Sequence, residues 1–108
     1  MKQYSAEDIV MNLVCNGGDC RSKALEAIHA ARQGEFDKAD ELMKQAEESM
    51  HQAHRFQTEL IQGEMQEGAE PTQVSLLMVH GQDHLMDAMV VYDLATEIIE
   101  LIRELKQK

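Results

Sequence analysis

The chain has 108 residues, enough for one domain (1–108) with a modest core. Four residues are aromatic and one is proline, while Ala, Glu, Leu, Met and Gln are plentiful, a usage that favours helix over sheet. The formal net charge is −10 and no basic cluster is present, which speaks against nucleic acid or an anionic membrane and favours a basic partner protein. No apolar run approaches the roughly 20 residues that span a bilayer. Met1-Lys2-Gln3-Tyr4 also lacks the apolar core of a signal peptide, so a cytoplasmic protein is expected. Cys15 and Cys20 are the only cysteines. Five residues apart on one helix they face different ways, and both read as structural thiols.

A first helix is expected from about Ser5 to Arg32. Ser5 followed by Asp8 resembles a capping box, and Ile9, Leu13, Cys20, Ala24, Ile28 and Ala31 recur at helical spacing. Asn16-Gly17-Gly18 interrupts the pattern, so the helix either kinks there or is closely approached by another backbone. Gln33-Gly34 ends it, glycine supplying the left-handed C-cap conformation. Glu26-x-x-His29 and Glu48-x-x-His51 have the spacing of di-metal bundles. If Ile28 and Met50 point inward, however, both pairs point outward.

The second helix is expected over about Glu35 to Glu64. Ala39, Met43, Ala46, Met50, Ala53, Gln57 and Leu60 form its heptad-like seam, with small residues for close approach and methionine as filler. Gln57 is the polar exception, with His54 beside it. It is either a satisfied core amide or a support for chemistry on the third helix. A polar connection, Met65 to Glu70, leads to a third helix over about Pro71 to Lys106, with Pro71 in its first turn.

On that helix Val74, Leu77, Gly81, His84, Ala88, Val91, Ala95, Ile98, Ile102 and Leu105 alternate three and four apart as the expected core seam. An antiparallel three-helix bundle, all α, follows. A second stripe, Leu76, Val79, Asp83, Met86, Val90, Leu94 and Leu101, lies roughly 140–180° from Gly81 and would face water in a monomer. An apolar band of that length marks an interface, so self-association through the third helix is expected. Asp83 within such a seam is costly unless a cation neutralises it, and oxygen ligands favour a hard one such as Mg²⁺.

His80 sits at the edge of this stripe, about 100° from the core seam. Gln82, Asp87 and a neighbouring subunit are candidates to orient it. His84 falls on the core seam. His80, Asp83 and His84 could bind zinc, could be incidental to a helical adaptor, or could include a nucleophilic histidine that carries a covalent intermediate. Spacing does not choose among these.

Val79-His80-Gly81-Gln82-Asp83-His84-Leu85-Met86 resembles the active-site signature of the lactose/cellobiose-class IIA proteins of the bacterial phosphoenolpyruvate-dependent sugar phosphotransferase system (PTS). Asn16-Gly17-Gly18-Asp19-Cys20-Arg21-Ser22, Gln33-Gly34-Glu35-Phe36-Asp37-Lys38-Ala39 and Ala53-His54-x-x-Gln57-Thr58 resemble further segments of that family, in order. Cys20 departs from the alanine common there. The resemblance implies a homotrimeric phosphocarrier. His80 would take a phosphoryl group at Nε2 from HPr and pass it to the cysteine of a IIB component during uptake of a β-linked disaccharide of lactose, cellobiose or chitobiose type. His54, Gln57, Gln82, His84 and Asp87 would support it, and Asp83 would meet a metal ion on the threefold axis. The alternative is a non-catalytic adaptor or metal-binding bundle of the same fold.

Overall fold

The computed structural model describes residues 4–71 and 73–108. Three α-helices account for the regular structure among them: α1 (Ala6–Arg32), α2 (Phe36–Glu64) and α3 (Leu76–Lys106). They form an antiparallel bundle measuring 59 × 22 × 22 Å. α1 packs along both other helices, whereas α2 and α3 touch each other far less.

Both ends of α1 are set by residues read from the sequence. Ser5 accepts a hydrogen bond from the Asp8 backbone N–H at 3.1 Å, satisfying one free donor of α1's first turn. Gly34 takes φ +82° and closes the α1–α2 turn. Lys106 Nζ reaches the carbonyl of Arg32 there at 3.1 Å, tying the end of α3 to the end of α1. α3 begins later than expected, at Leu76 and not Pro71. Ser75 is its cap, accepting from the Met78 N–H at 3.1 Å, and Pro71 stays in the connection. Thr72, expected to be helical, lies outside the described residues, as do Met1 to Gln3.

Alanine dominates the core: Ala24, Ala27, Ala31, Ala39, Ala46, Ala53, Ala88 and Ala95 are fully buried. Burying alanine sacrifices no side-chain rotamer freedom and lets helix axes approach closely. Leu13, Leu85 and Cys20 are the largest fully buried side chains, and half-buried Met43, Met50 and Met89 fill the flanks. The outward reading of Glu26, His29, Glu48 and His51 holds, all four being exposed.

The expected α3 seam is only partly right. Gly81, Ala88 and Ala95 are buried, but Leu77, Ile98 and Leu105 are exposed, and Val74 precedes the helix. The buried line runs instead through Met78, Gly81, Leu85, Ala88, Ala95 and Ile99. Both lines keep a seven-residue repeat and share Gly81, Ala88 and Ala95. The expected seam takes Leu77, His84 and Ile98 as its other set, one residue before the buried Met78, Leu85 and Ile99, an offset of about 100° around the helix. The second stripe does face water: Leu76, Val79, Met86, Val90, Leu94 and Leu101 are each at least 42% exposed.

α1 runs through Gly17-Gly18 without a break. Close approach is what the sequence marks here. A Cβ on Gly17 would lie 2.9 Å from the carbonyl oxygen of His84, 3.0 Å from its carbon and 3.2 Å from Leu85 N.

The two thiols differ in kind. Cys15 is exposed, while Cys20 is buried with its Sγ 3.9 Å from the Ala88 carbonyl oxygen. Burial, and secondarily the charge of Asp19, pushes the Cys20 thiol up to about 11. The thiolate is the reactive form. A thiol-directed alkylating reagent at neutral pH is therefore expected to add once per native chain, at Cys15, and at Cys20 only after denaturation. Mass spectrometry of the native adduct would contradict this if it found both cysteines modified at similar rates.

Candidate functional site

α3 carries the site near its N-terminus. With the helix starting at Leu76, His80 is its fifth residue, closer to the positive end of the dipole than a start at Pro71 would place it. A negative charge is favoured near that end of a helix.

His84 is not a core histidine as its seam position suggested. It is half-buried, and its ring meets that of His80 edge-on, with centroids 4.6 Å apart and planes at 81°. The two Nε2 atoms are 3.2 Å apart. One of them must carry a proton and the other a lone pair for that contact to be a hydrogen bond. If His84 donates, His80 holds its own proton on Nδ1, and its Nε2 lone pair, engaged by the His84 N–H, is the one available to a nucleophilic step once that contact opens. The backbone beneath is fixed by Gly17, which seats α1 directly on the His84 carbonyl.

Gln82 does not orient the His80 of its own chain. Residues two apart on a helix face away from each other. Its Oε1 accepts instead from Gln57 Nε2 at 2.7 Å, and the same Gln57 Nε2 lies 3.8 Å from Met86 Sδ. This contact joins α2 to α3 and answers the question that Gln57 posed in the sequence: it is a satisfied amide whose partner belongs to the site helix. His54 and Asp87 are exposed and make no polar contact among the described residues, so one chain does not bring them to His80. Asp83 is exposed between Val79 and Met86 on the apolar stripe. Among the described residues no group of three His, Cys, Asp or Glu side chains could hold a metal within one chain.

Two features escape sequence reasoning. The ring contact of His80 with His84 was signalled by their four-residue spacing, but a core position for His84 concealed it. The Gln57–Gln82 pair spans two helices, and no local pattern marks it. Elsewhere α2 and α3 are tied by Tyr92 donating to Glu47 at 2.8 Å and by Arg103 with Asp40 at 2.6 Å. Burial and then the Glu47 carboxylate push the Tyr92 hydroxyl up to about 12, so it stays protonated as a donor.

Residues 8–103 match the family model of the lactose/cellobiose-specific IIA subunit of the PTS. The lichenan-specific phosphotransferase enzyme IIA component of Bacillus subtilis is 47% identical over 102 residues, covering 94% of this chain and 91% of that protein. Among solved structures, the cellobiose-specific enzyme IIA of Bacillus anthracis superposes with a TM-score of 0.90 at 46% identity, covering 99% of this chain and 96% of that one. The chitobiose IIA of Escherichia coli, solved in complex with HPr, gives 0.80 at 42% identity, with 96% and 99% covered. No described helix is long and apolar enough to cross a membrane.

Proposed function

The chain belongs to the lactose/cellobiose-specific IIA subunits of the PTS, and from that premise we propose that His80 is its phosphoryl carrier, loaded by HPr and unloaded onto the cysteine of a IIB component in the cytoplasm. The observation that carries this reading is the exposed His80 imidazole, with its Nε2 set against the Nε2 of His84 at 3.2 Å. The His80 lone pair forms a new P–N bond while the donor's P–N bond breaks and its electron pair returns to the donor ring. The hydrogen bond from His84 Nε2 holds free His80 in the required tautomer; it opens as the same His80 lone pair turns to phosphorus, and the released His84 N–H then donates to a phosphoryl oxygen. The positive end of α3 favours the added charge. Positioning and electrostatics, with no further covalent group, suffice for such a transfer.

The apolar stripe supports self-association about Asp83, and the family resemblance implies three copies. Each chain offers one carboxylate at that point, so the residues fit a hard divalent cation such as Mg²⁺ only when the copies share it. Bound there, the cation would neutralise carboxylates that apolar surroundings cannot accommodate. The acidic net charge suits a basic surface on HPr and would raise the encounter rate more than the affinity. A β-linked disaccharide of cellobiose, lactose or chitobiose type is the sugar class in view, in keeping with the family description and the names of the solved relatives.

Incubation with phosphoenolpyruvate, enzyme I and HPr tests the assignment. An acid-labile phosphate is expected on the wild type and none on His80→Gln. Absence of label on the wild type would support a non-catalytic adaptor instead.

A further inference from the structure

The phosphocarrier reading gives Gln57 a supporting part without saying how it acts, and its contacts are specific. Its Nε2 group has two hydrogens, one directed to Gln82 Oε1 at 2.7 Å and one to Met86 Sδ at 3.8 Å. A thioether sulfur only accepts, so the group between these two atoms is the amide NH₂ and not the oxygen. That fixes the other amide as well. Gln82 must spend its oxygen on Gln57, which leaves its own NH₂ as the free end, with no partner among the described residues.

The helix decides where that free NH₂ can act. At about 100° per residue, His80 stands about 60° to one side of Asp83, while Gln82 and Met86 stand about 100° and 60° to the other. Within one chain the two flanks diverge. In a cyclic assembly packed around Asp83 they converge, because one flank of each copy faces the opposite flank of the next. Rotation about the axis preserves height, and Gln82 is only about 3 Å further along the helix than His80.

We propose that Gln57 is a positioning residue that acts across the subunit boundary. By holding Gln82 oxygen-inward, it presents the Gln82 NH₂ as a hydrogen-bond donor to the phosphoryl oxygens carried on His80 of the neighbouring copy. This rests on the phosphocarrier reading and adds to it a defined amide orientation. A donor aimed at developing negative charge assists the transfer, whereas an oxygen in the same place would oppose it.

Gln57→Glu separates this role from mere packing. The side chain keeps its size, but a carboxylate only accepts, so Gln82 must turn its NH₂ towards residue 57 and its oxygen outward. The rate of phosphoryl acceptance from phospho-HPr is expected to fall about tenfold or more, with the thermal midpoint and the oligomeric state unchanged. Gln57→Leu, which frees Gln82 to rotate, should fall less.

Charge repulsion by Glu alone would persist in a Gln82→Leu background. Action through Gln82 requires instead that Gln57→Glu/Gln82→Leu be no slower than Gln82→Leu. Wild-type rates in folded, assembled Gln57→Glu would overturn the proposal, as would an undiminished Glu penalty in the double variant. A wild type that accepts no phosphate at all would instead remove the phosphocarrier reading on which it stands.

Discussion

Gly17→Ala is expected to destabilise the protein by about 1–2 kcal/mol, and Gly18→Ala to stabilise it by up to about 1 kcal/mol. The two glycines are adjacent on the same helix, so intrinsic propensity favours alanine equally at both. They differ in what a Cβ would meet. At Gly18 nothing lies within 4 Å, and the gain in propensity is realised. At Gly17 the new carbon would sit 2.9 Å from the oxygen and 3.0 Å from the carbon of the His84 carbonyl, and these are backbone atoms that cannot rotate aside. α1 and α3 must move apart, and overpacking of this kind costs about 1–3 kcal/mol, which outweighs the propensity gain. The displaced backbone carries His84, so the contact of its ring with His80 should loosen too, and phosphoryl acceptance should fall with stability. Thermal unfolding of both variants checks the pair. Destabilisation at both positions, or at neither, would contradict the close approach.

Val90→Glu or Leu94→Glu should convert the assembled protein to monomers, while leaving each chain's helical content intact. Both side chains are more than half exposed on the stripe of a single chain, so a charge there costs the isolated bundle little. In an assembly the same charge is repeated in every copy and buried against its symmetry mates, at a cost of several kcal/mol. Asp83→Leu should behave in the opposite way. It removes the one costly group in the seam, so the assembly should persist and the bound cation should be lost. Sedimentation at micromolar concentration, with metal analysis of the same fractions, reads both outcomes. A monomeric wild type would defeat the stripe argument, and cation retained at one per three chains in Asp83→Leu would remove Asp83 as its ligand.

Helix identity and the N-terminal cap of α1 were legible in the sequence because they depend on local chemistry. Ser5, Gly34 and the alanine–methionine seam of α2 each act within a turn or two of their own position. The α3 start was misplaced because Pro71 is compatible with a first turn, whereas Ser75 supplies the acceptor that Met78 needs. The α3 core was misread for a geometric reason. Gly81, Ala88 and Ala95 fit a heptad seam completed either by Leu77, His84 and Ile98 or by Met78, Leu85 and Ile99; both sets are equally periodic, and only the packing of Met78 and Leu85 against Val10 and Leu13 of α1 picks the second. That error also sent His84 into the core and hid its contact with His80. Gln57 was marked by its polarity on an apolar seam, but its partner lies 25 residues further along the chain, where no periodicity could point. The Asn16-Gly17-Gly18 signal was ambiguous between a kink and a close approach until the His84 carbonyl was found against Gly17.

On the proposed mechanism one nitrogen, Nε2 of His80, carries the phosphoryl group. Nitrogen-15 and phosphorus-31 NMR of the imidazole-labelled protein, phosphorylated through enzyme I and HPr, tests it most directly. A phosphorus-coupled Nε2 on His80 is expected, with His29, His51, His54 and His84 unmodified. Phosphate on any of those four, or on Nδ1 of His80, would contradict it.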